Sequence, residues 1–158
     1  MVIVRGPLGA GKTTVAGALA RSLGGVVVSI DAILERDEWD GGSEALFLRA
    51  NPGAAEEAAA ALREGRPALI DGNFYWASAI RDLLSRLPYP HVVVTLEVPL
   101  ATCIERDRGR SLSYGAEATR EVFVKTARVR AGHRVDGNRP VDEIVDVILG
   151  LPRSIGLG

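Results

Sequence analysis

The sequence predicts a single α/β domain, a parallel sheet with helices on both faces. Three observations predict it. Short apolar runs rich in β-branched residues alternate with segments of helical periodicity along the chain, the pattern of strands joined by crossover helices. A glycine-rich turn separates the first apolar run from the first helical segment. Two later apolar runs each end on an aspartate, Asp31 and Asp71, and in open parallel sheets ligands collect outside the carboxyl ends of the strands. The length of 158 residues suits one core and is short for two, so residues 1–158 are expected to form one domain.

Val2 to Val4 is apolar at every position and reads as a central strand covered on both faces. Lys12 to Leu23 places Val15, Ala16, Leu19, Ala20 and Leu23 in a helical pattern and stops at Gly24-Gly25, a helix-ending signal. Val26 to Ile30 is a second buried strand, followed by a short helix from Ala32 to Arg36 and a largely acidic stretch broken by Trp39. Ser43 caps a short helix, Glu44 to Arg49; Asn51-Pro52-Gly53 reads as a turn or cap; alanine-rich Ala54 to Glu64 is strongly helical and ends at Gly65. Pro67 to Ile70 is the third strand. Ala77 to Leu87 is a helix with Ile80, Leu83, Leu84 and Leu87 on one side, and His91 to Val98 is the fourth strand. Pro99 opens a helix through about Arg108, a polar loop follows to Gly115, and Ala116 to Arg130 is a basic helix. A short strand and loop from Val135 to Pro140 precede the last helix, Val141 to Leu149. The tail from Gly150 has no amphipathic pattern and is expected to fray.

Gly6-Pro7-Leu8-Gly9-Ala10-Gly11-Lys12-Thr13 fits G-x-x-x-x-G-K-[ST] without mismatch. Between a strand and a helix, that pattern is a phosphate-binding loop. Its glycines let successive N–H groups turn inward on phosphate oxygens, and the helix start adds positive potential. The expected nucleotide contacts are Gly6, Leu8, Gly9, Ala10, Gly11, Lys12, Thr13 and Thr14. Lys12 should reach the β- and γ-phosphates and Thr13 should hold Mg²⁺, which makes ATP and Mg²⁺ the expected cofactors. Asp71 is read as holding a magnesium-bound water in preference to capping the next turn. Asp31 is read as orienting or deprotonating an acceptor hydroxyl, ahead of an N-cap role.

Bulk charge narrows the partners. With 19 basic and 20 acidic side chains the net charge is -1, which gives no cationic track for nucleic acid. One cysteine, Cys103, excludes an internal disulfide or a multi-cysteine zinc site, and two histidines make a metal cluster improbable. No apolar run approaches a membrane span and no signal peptide is recognised, so a soluble cytoplasmic protein is the expectation. The oligomeric state is not legible.

Several stretches resemble the P-loop small-molecule and nucleotide kinases. Leu69-Ile70-Asp71-Gly72-Asn73-Phe74 resembles the L-D-G-F-P-R stretch of adenylate kinases, whose aspartate sits near Mg²⁺. Leu96 to Pro99 and Ile104 to Arg110 resemble the strand and lid hinge of that superfamily. Val28-Ser29-Ile30-Asp31 is similar to the acceptor-side strand of shikimate kinase, gluconate kinase and chloramphenicol phosphotransferase. The likeness runs from about Val2 to Leu149. It implies the three-layer P-loop kinase fold, with a five-stranded parallel sheet in the order 2-3-1-4-5 and a short lid near residues 106–120. It also implies that Arg106 and Arg110 contact nucleotide phosphates and that Arg139 stacks on the adenine.

By spacing alone, Arg106 and Arg110 stand one helical turn apart on one face, equally suited to clamping a phosphoryl group or to solvent. From Ala101 to Arg139, nine Lys or Arg face five Asp or Glu, which suits a lid closing over ATP. Trp39, Asn73 and Tyr75, with Asp31, are the expected acceptor contacts, the aromatic rings lining a pocket; plain core packing accounts for Phe47. Asn73-Phe74-Tyr75 replaces the phenylalanine-proline-arginine of adenylate kinases and lacks the arginine that binds an acceptor monophosphate, which argues against a nucleoside monophosphate acceptor. The reading is an ATP-dependent phosphotransferase acting on a small hydroxyl-bearing acceptor: an antibiotic, nucleoside, sugar or shikimate-like molecule. The alternatives are a regulatory nucleotide switch and a nucleoside monophosphate kinase.

Overall fold

A computed structural model describes residues 1–36 and 43–153. The chain runs β1 (Val2–Arg5), α1 (Lys12–Leu23), β2 (Val26–Ser29), α2 (Ile30–Arg36), α3 (Glu44–Arg63), β3 (Ala68–Gly72), α4 (Ala77–Arg86), β4 (Val92–Glu97), α5 (Leu100–Arg108), α6 (Ala116–Arg128), β5 (His133–Asp136) and α7 (Val141–Leu149). All strand pairs are parallel and the sheet order is β2-β3-β1-β4-β5, as expected.

Alternation along β1 divides the interior in two. Ile3 faces a core shared with Val28, Ile70 and the inward sides of α2, α3 and α4. Val2 and Val4 face a second core with Val15, Leu19 and the inward residues of α7. Both faces are covered, which is why the strands are continuously apolar. The register sets Val4 beside Asp71, so the phosphate loop leaves β1 next to the end of β3.

Three boundaries differ from expectation in ways that matter. The proposed turn at Asn51-Pro52-Gly53 is instead the middle of one 20-residue helix, α3, with Pro52 inside it. Proline costs a helix interior about 3 kcal/mol because it removes an N–H and crowds the preceding turn. Tertiary burial offsets this: Asn51 is fully buried, and its amide donates to the Ala79 carbonyl at 2.8 Å and to Asp82 Oδ2 at 2.9 Å, both on α4. Ala50, Ala54 and Ala58 bury their small side chains in the same core. Helix α2 begins at Ile30, which moves Asp31 from a strand end into a helix's first turn. Strand β3 continues through Asp71 and Gly72, so Asp71 is part of the ladder. Among the described residues no helix is long and apolar enough to cross a membrane.

Candidate active site

The phosphate loop closes on Gly11, the N-cap of α1, at φ 89°. Gly9 has φ 74°, and a Cβ there would stand 2.3 Å from the Cys103 carbonyl oxygen, so only glycine fits. Leu8 and Ala10, within the loop, are buried. Above it lies a cavity of about 210 Å³ lined by Gly9, Gly11, Lys12, Thr13, Thr14, Arg106 and Arg110. The structure thus brings together most of the expected nucleotide contacts.

Lys12 is 7% exposed. Its Nζ donates to the Pro7 carbonyl at 3.1 Å and to Asn73 Oδ1 at 2.9 Å. Burial lowers its pKa; Asp31 and Asp71 oppose that shift, and Arg110 adds to it. The Thr13 hydroxyl donates to Asp71 Oδ2 at 2.7 Å. The other oxygen, Asp71 Oδ1, is buried and has no hydrogen-bond partner. Buried polar atoms are nearly always paired, and a partnerless carboxylate oxygen beside a loop hydroxyl suits a hard, oxygen-seeking cation. Thr13 and Asp71 are the residues that would hold Mg²⁺, directly or through water. Asp31 Oδ1 accepts the Asn73 N–H at 3.3 Å. Asn73 therefore joins Asp31 to Lys12.

Arg106 donates to the Gly137 carbonyl at 3.2 Å and to Asn138 Oδ1 at 3.5 Å. Arg110 does not share its helical face, because α5 ends at Arg108 with Gly109 as its cap. The reason lies in Asp107, which is 1% exposed. Its carboxylate accepts the Ser113 hydroxyl at 2.7 Å and the N–H groups of Gly115 at 3.0 Å and Tyr114 at 3.4 Å. These bonds fold the loop back on the helix end. Arg110 still reaches the cavity, with its guanidinium 5.7 Å from the Tyr114 ring centre.

A family model described as an AAA domain matches residues 1–133, from β1 through the phosphate loop to the start of β5. The chain belongs to this family. The AAA domain superposes on a sugar kinase from Janibacter sp. HTCC2649 with a TM-score of 0.76 at 18% identity, covering 99% of this chain and 98% of that one. A gluconokinase from Sinorhizobium meliloti 1021 gives 0.72 at 19% identity, covering 94% and 88%. The Deinococcus radiodurans tunicamycin resistance protein gives 0.67 at 22%, covering 97% of both. These establish the fold of P-loop small-molecule kinases. In sequence, the domain is 31% identical to tRNA dimethylallyltransferase of Cereibacter sphaeroides over 63% of its own length, and spans 39% of that relative.

Tyr75, expected to contact an acceptor, is only 8% exposed. Its ring packs edge-on against Phe47 at 5.1 Å and lies 5.4 Å beneath Lys125 Nζ. Most of the Tyr75 ring therefore belongs to the core and little of it is left to line a pocket. Arg139 is exposed and lies outside the lining of the phosphate cavity; its neighbour Asn138 accepts from Arg106. Trp39 lies outside the described residues. Two residues escaped the sequence reading. Asp107 gave no local sign of its role. Arg5 gave a faint one, a charge closing an otherwise apolar central strand.

Proposed function

We propose that the protein is an ATP-dependent phosphotransferase acting on a small hydroxyl-bearing acceptor. The observation that carries this reading is the linked set Asp31–Asn73–Lys12, with Thr13–Asp71 beside it. One asparagine bonds both a carboxylate and the lysine ammonium, and that lysine lines a cavity of about 210 Å³ over the phosphate loop. A binding module needs the phosphate cradle alone; a carboxylate linked to the lysine through a shared asparagine is what an acceptor hydroxyl requires.

In this reading the loop N–H groups and Lys12 hold the β- and γ-phosphates. Bound Mg²⁺ supplies charge neutralisation of the phosphates. Asp31 orients the acceptor hydroxyl and takes its proton as the acceptor oxygen–phosphorus bond forms. The bond from the γ-phosphorus to the β–γ bridging oxygen breaks, and ADP leaves. Arg106 and Arg110 at the cavity rim stabilise charge on the transferred group. Lys12 must exchange its Pro7 and Asn73 partners for phosphate oxygens, which frees Asn73 Oδ1 for the acceptor.

The test is transfer of labelled γ-phosphate from ATP to panels of sugars, nucleosides, shikimate-like acids and antibiotics, with nucleoside monophosphates and tRNA as controls. Lys12→Ala is expected to abolish transfer while melting as a folded protein, and Asp31→Asn to lose turnover with ATP binding kept. Equal transfer by Lys12→Ala, or none by the wild type to any acceptor, refutes the reading.

A further inference from the structure

Arg5 is 0% exposed at the end of the central strand, immediately before the phosphate loop. Buried charges are ordinarily paired with an opposite charge, yet among the described residues no carboxylate pairs with it. Its guanidinium instead spreads over three other parts of the fold. Nε donates to the Phe74 carbonyl at 3.2 Å. One terminal nitrogen donates to Thr95 Oγ1 and to the Val129 carbonyl, both at 2.9 Å, and the other to the Thr126 carbonyl at 2.9 Å. Thr126 and Val129 are the last turn and C-cap of α6. The negative end of that helix is the counter-charge for Arg5. Thr95 completes the arrangement by donating to the Ala131 carbonyl at 2.7 Å. Burial lowers the guanidinium to about 10, so it stays charged near neutral pH.

What Arg5 holds at Phe74 is a strained point. Phe74 has φ 43°, the one positive φ of a non-glycine residue among those described. For a bulky side chain that conformation costs of order 1–3 kcal/mol and persists only when the surroundings enforce it. Asn73, one residue earlier, is the link between Lys12 and Asp31. Arg5 therefore grips the acceptor-side turn from behind while its own strand feeds the phosphate loop. The same fork anchors the helix that follows the lid loop.

We propose that Arg5 is a positioning residue of the transfer site. It clamps the Asn73-Phe74 turn and the end of α6 onto β1, and so fixes where Asn73 meets Lys12 and Asp31. This rests on the phosphotransfer reading for the purpose served; the clamp itself is tested without an acceptor.

Arg5→Lys is the discriminating variant, because lysine keeps the charge but replaces a planar fork with a single nitrogen. ATP affinity, measured by calorimetry, is expected to stay within about threefold of wild type, since Arg5 lines no part of the phosphate cavity. Amide exchange is expected to quicken at Asn73-Phe74 and from Thr126 to Ala131, while α1 and α7 keep their protection. Acceptor turnover is expected to fall by about tenfold to a hundredfold, as misplacement of a positioning group does. Adding Asn73→Ala to Arg5→Lys should cost little more than the worse single change, the signature of residues acting as one unit. Uniform loss of protection, with turnover falling only in step with the folded fraction, overturns the proposal. So does full turnover in a folded Arg5→Lys protein, or strict additivity with Asn73→Ala. If Arg5→Lys fails to fold, Thr95→Val removes one partner of the fork, and a smaller loss confined to the same two segments supports the clamp; a diffuse loss sinks it. A wild type that transfers to no acceptor defeats the phosphotransfer reading alone, and the exchange pattern still decides whether Arg5 is a clamp.

Discussion

Asp71→Asn separates a metal role from a structural one, because the two respond with different magnitudes. The substitution keeps size and shape, and keeps an oxygen to accept the Thr13 hydroxyl at 2.7 Å. It removes a negative charge from a site that is 1% exposed. The Thr13 bond changes from charge-assisted to neutral, a loss of about 1 kcal/mol. Against this, the native Oδ1 is buried without a partner, and asparagine leaves an uncharged group there, which costs less to bury than a charge; losing the charge also removes attraction to the buried Lys12 ammonium. These changes oppose one another and each is on the order of 1 kcal/mol, so the melting temperature should move by only a few degrees, at about 2–4 °C per kcal/mol in a chain of this size. A cation loses far more, since a group that orients a metal or its water is worth about tenfold to a hundredfold in affinity. Calorimetric titration with ATP and Mg²⁺ should show that loss, and titration with ATP and chelator should not. Equal weakening in both titrations, or none in either, refutes the assignment of Asp71 to the metal.

Three further outcomes follow from the packing and charge. Gly9→Ala forces a Cβ to within 2.3 Å of a backbone oxygen at φ 74°; it should weaken ATP binding at least tenfold and destabilise the fold by more than about 1–2 kcal/mol, read by titration and thermal melting. Asn51→Ala should cost about 1–2 kcal/mol in chemical denaturation by removing the buried amide's bonds to the Ala79 carbonyl and Asp82, while leaving ATP affinity unchanged. Asp107 gives a pH dependence of known sign. Burial pushes its carboxyl up, but the hydrogen bonds from Ser113, Gly115 and Tyr114 and the Arg110 charge outweigh that, leaving it below its ordinary value. A carboxyl lowered on folding stabilises fully above its unfolded value, about 3.9, and the contribution vanishes as pH falls through the folded value. Protection of the Tyr114 and Gly115 amides, corrected for intrinsic exchange, should therefore persist from neutral pH to about 4 and fade below it. Asp107→Asn should lose that protection at neutral pH.

The readable parts of this protein are those written within a few residues of each other. Apolar β-branched runs, glycines that permit a left-handed turn, and helical spacing marked β1, the phosphate loop and α1 where the structure has them. Lys12 and Thr13 were legible from the G-x-x-x-x-G-K-[ST] pattern, and the place of Asp71 beside β1 from an apolar run that ends on an aspartate in a parallel sheet. The loop between α5 and α6 was also visible, in polar residues between two helical patterns.

Other features were decided only once distant segments met. Helix α3 runs through Pro52 because Asn51 finds partners 28 and 31 residues away; local propensity alone argued for a turn. Arg110 leaves its helix because Asp107 collects the hydrogen bonds of the following loop. Arg5 lies in a strand that looked like plain core, and its partners stand 69 to 124 residues along the chain. The sequence by itself determined the sheet, the phosphate cradle and the carboxylates at its edge, because backbone preference and burial periodicity are local. Only the tertiary structure decided which buried polar groups are paired, since a hydrogen bond's partner is set by what folds against it.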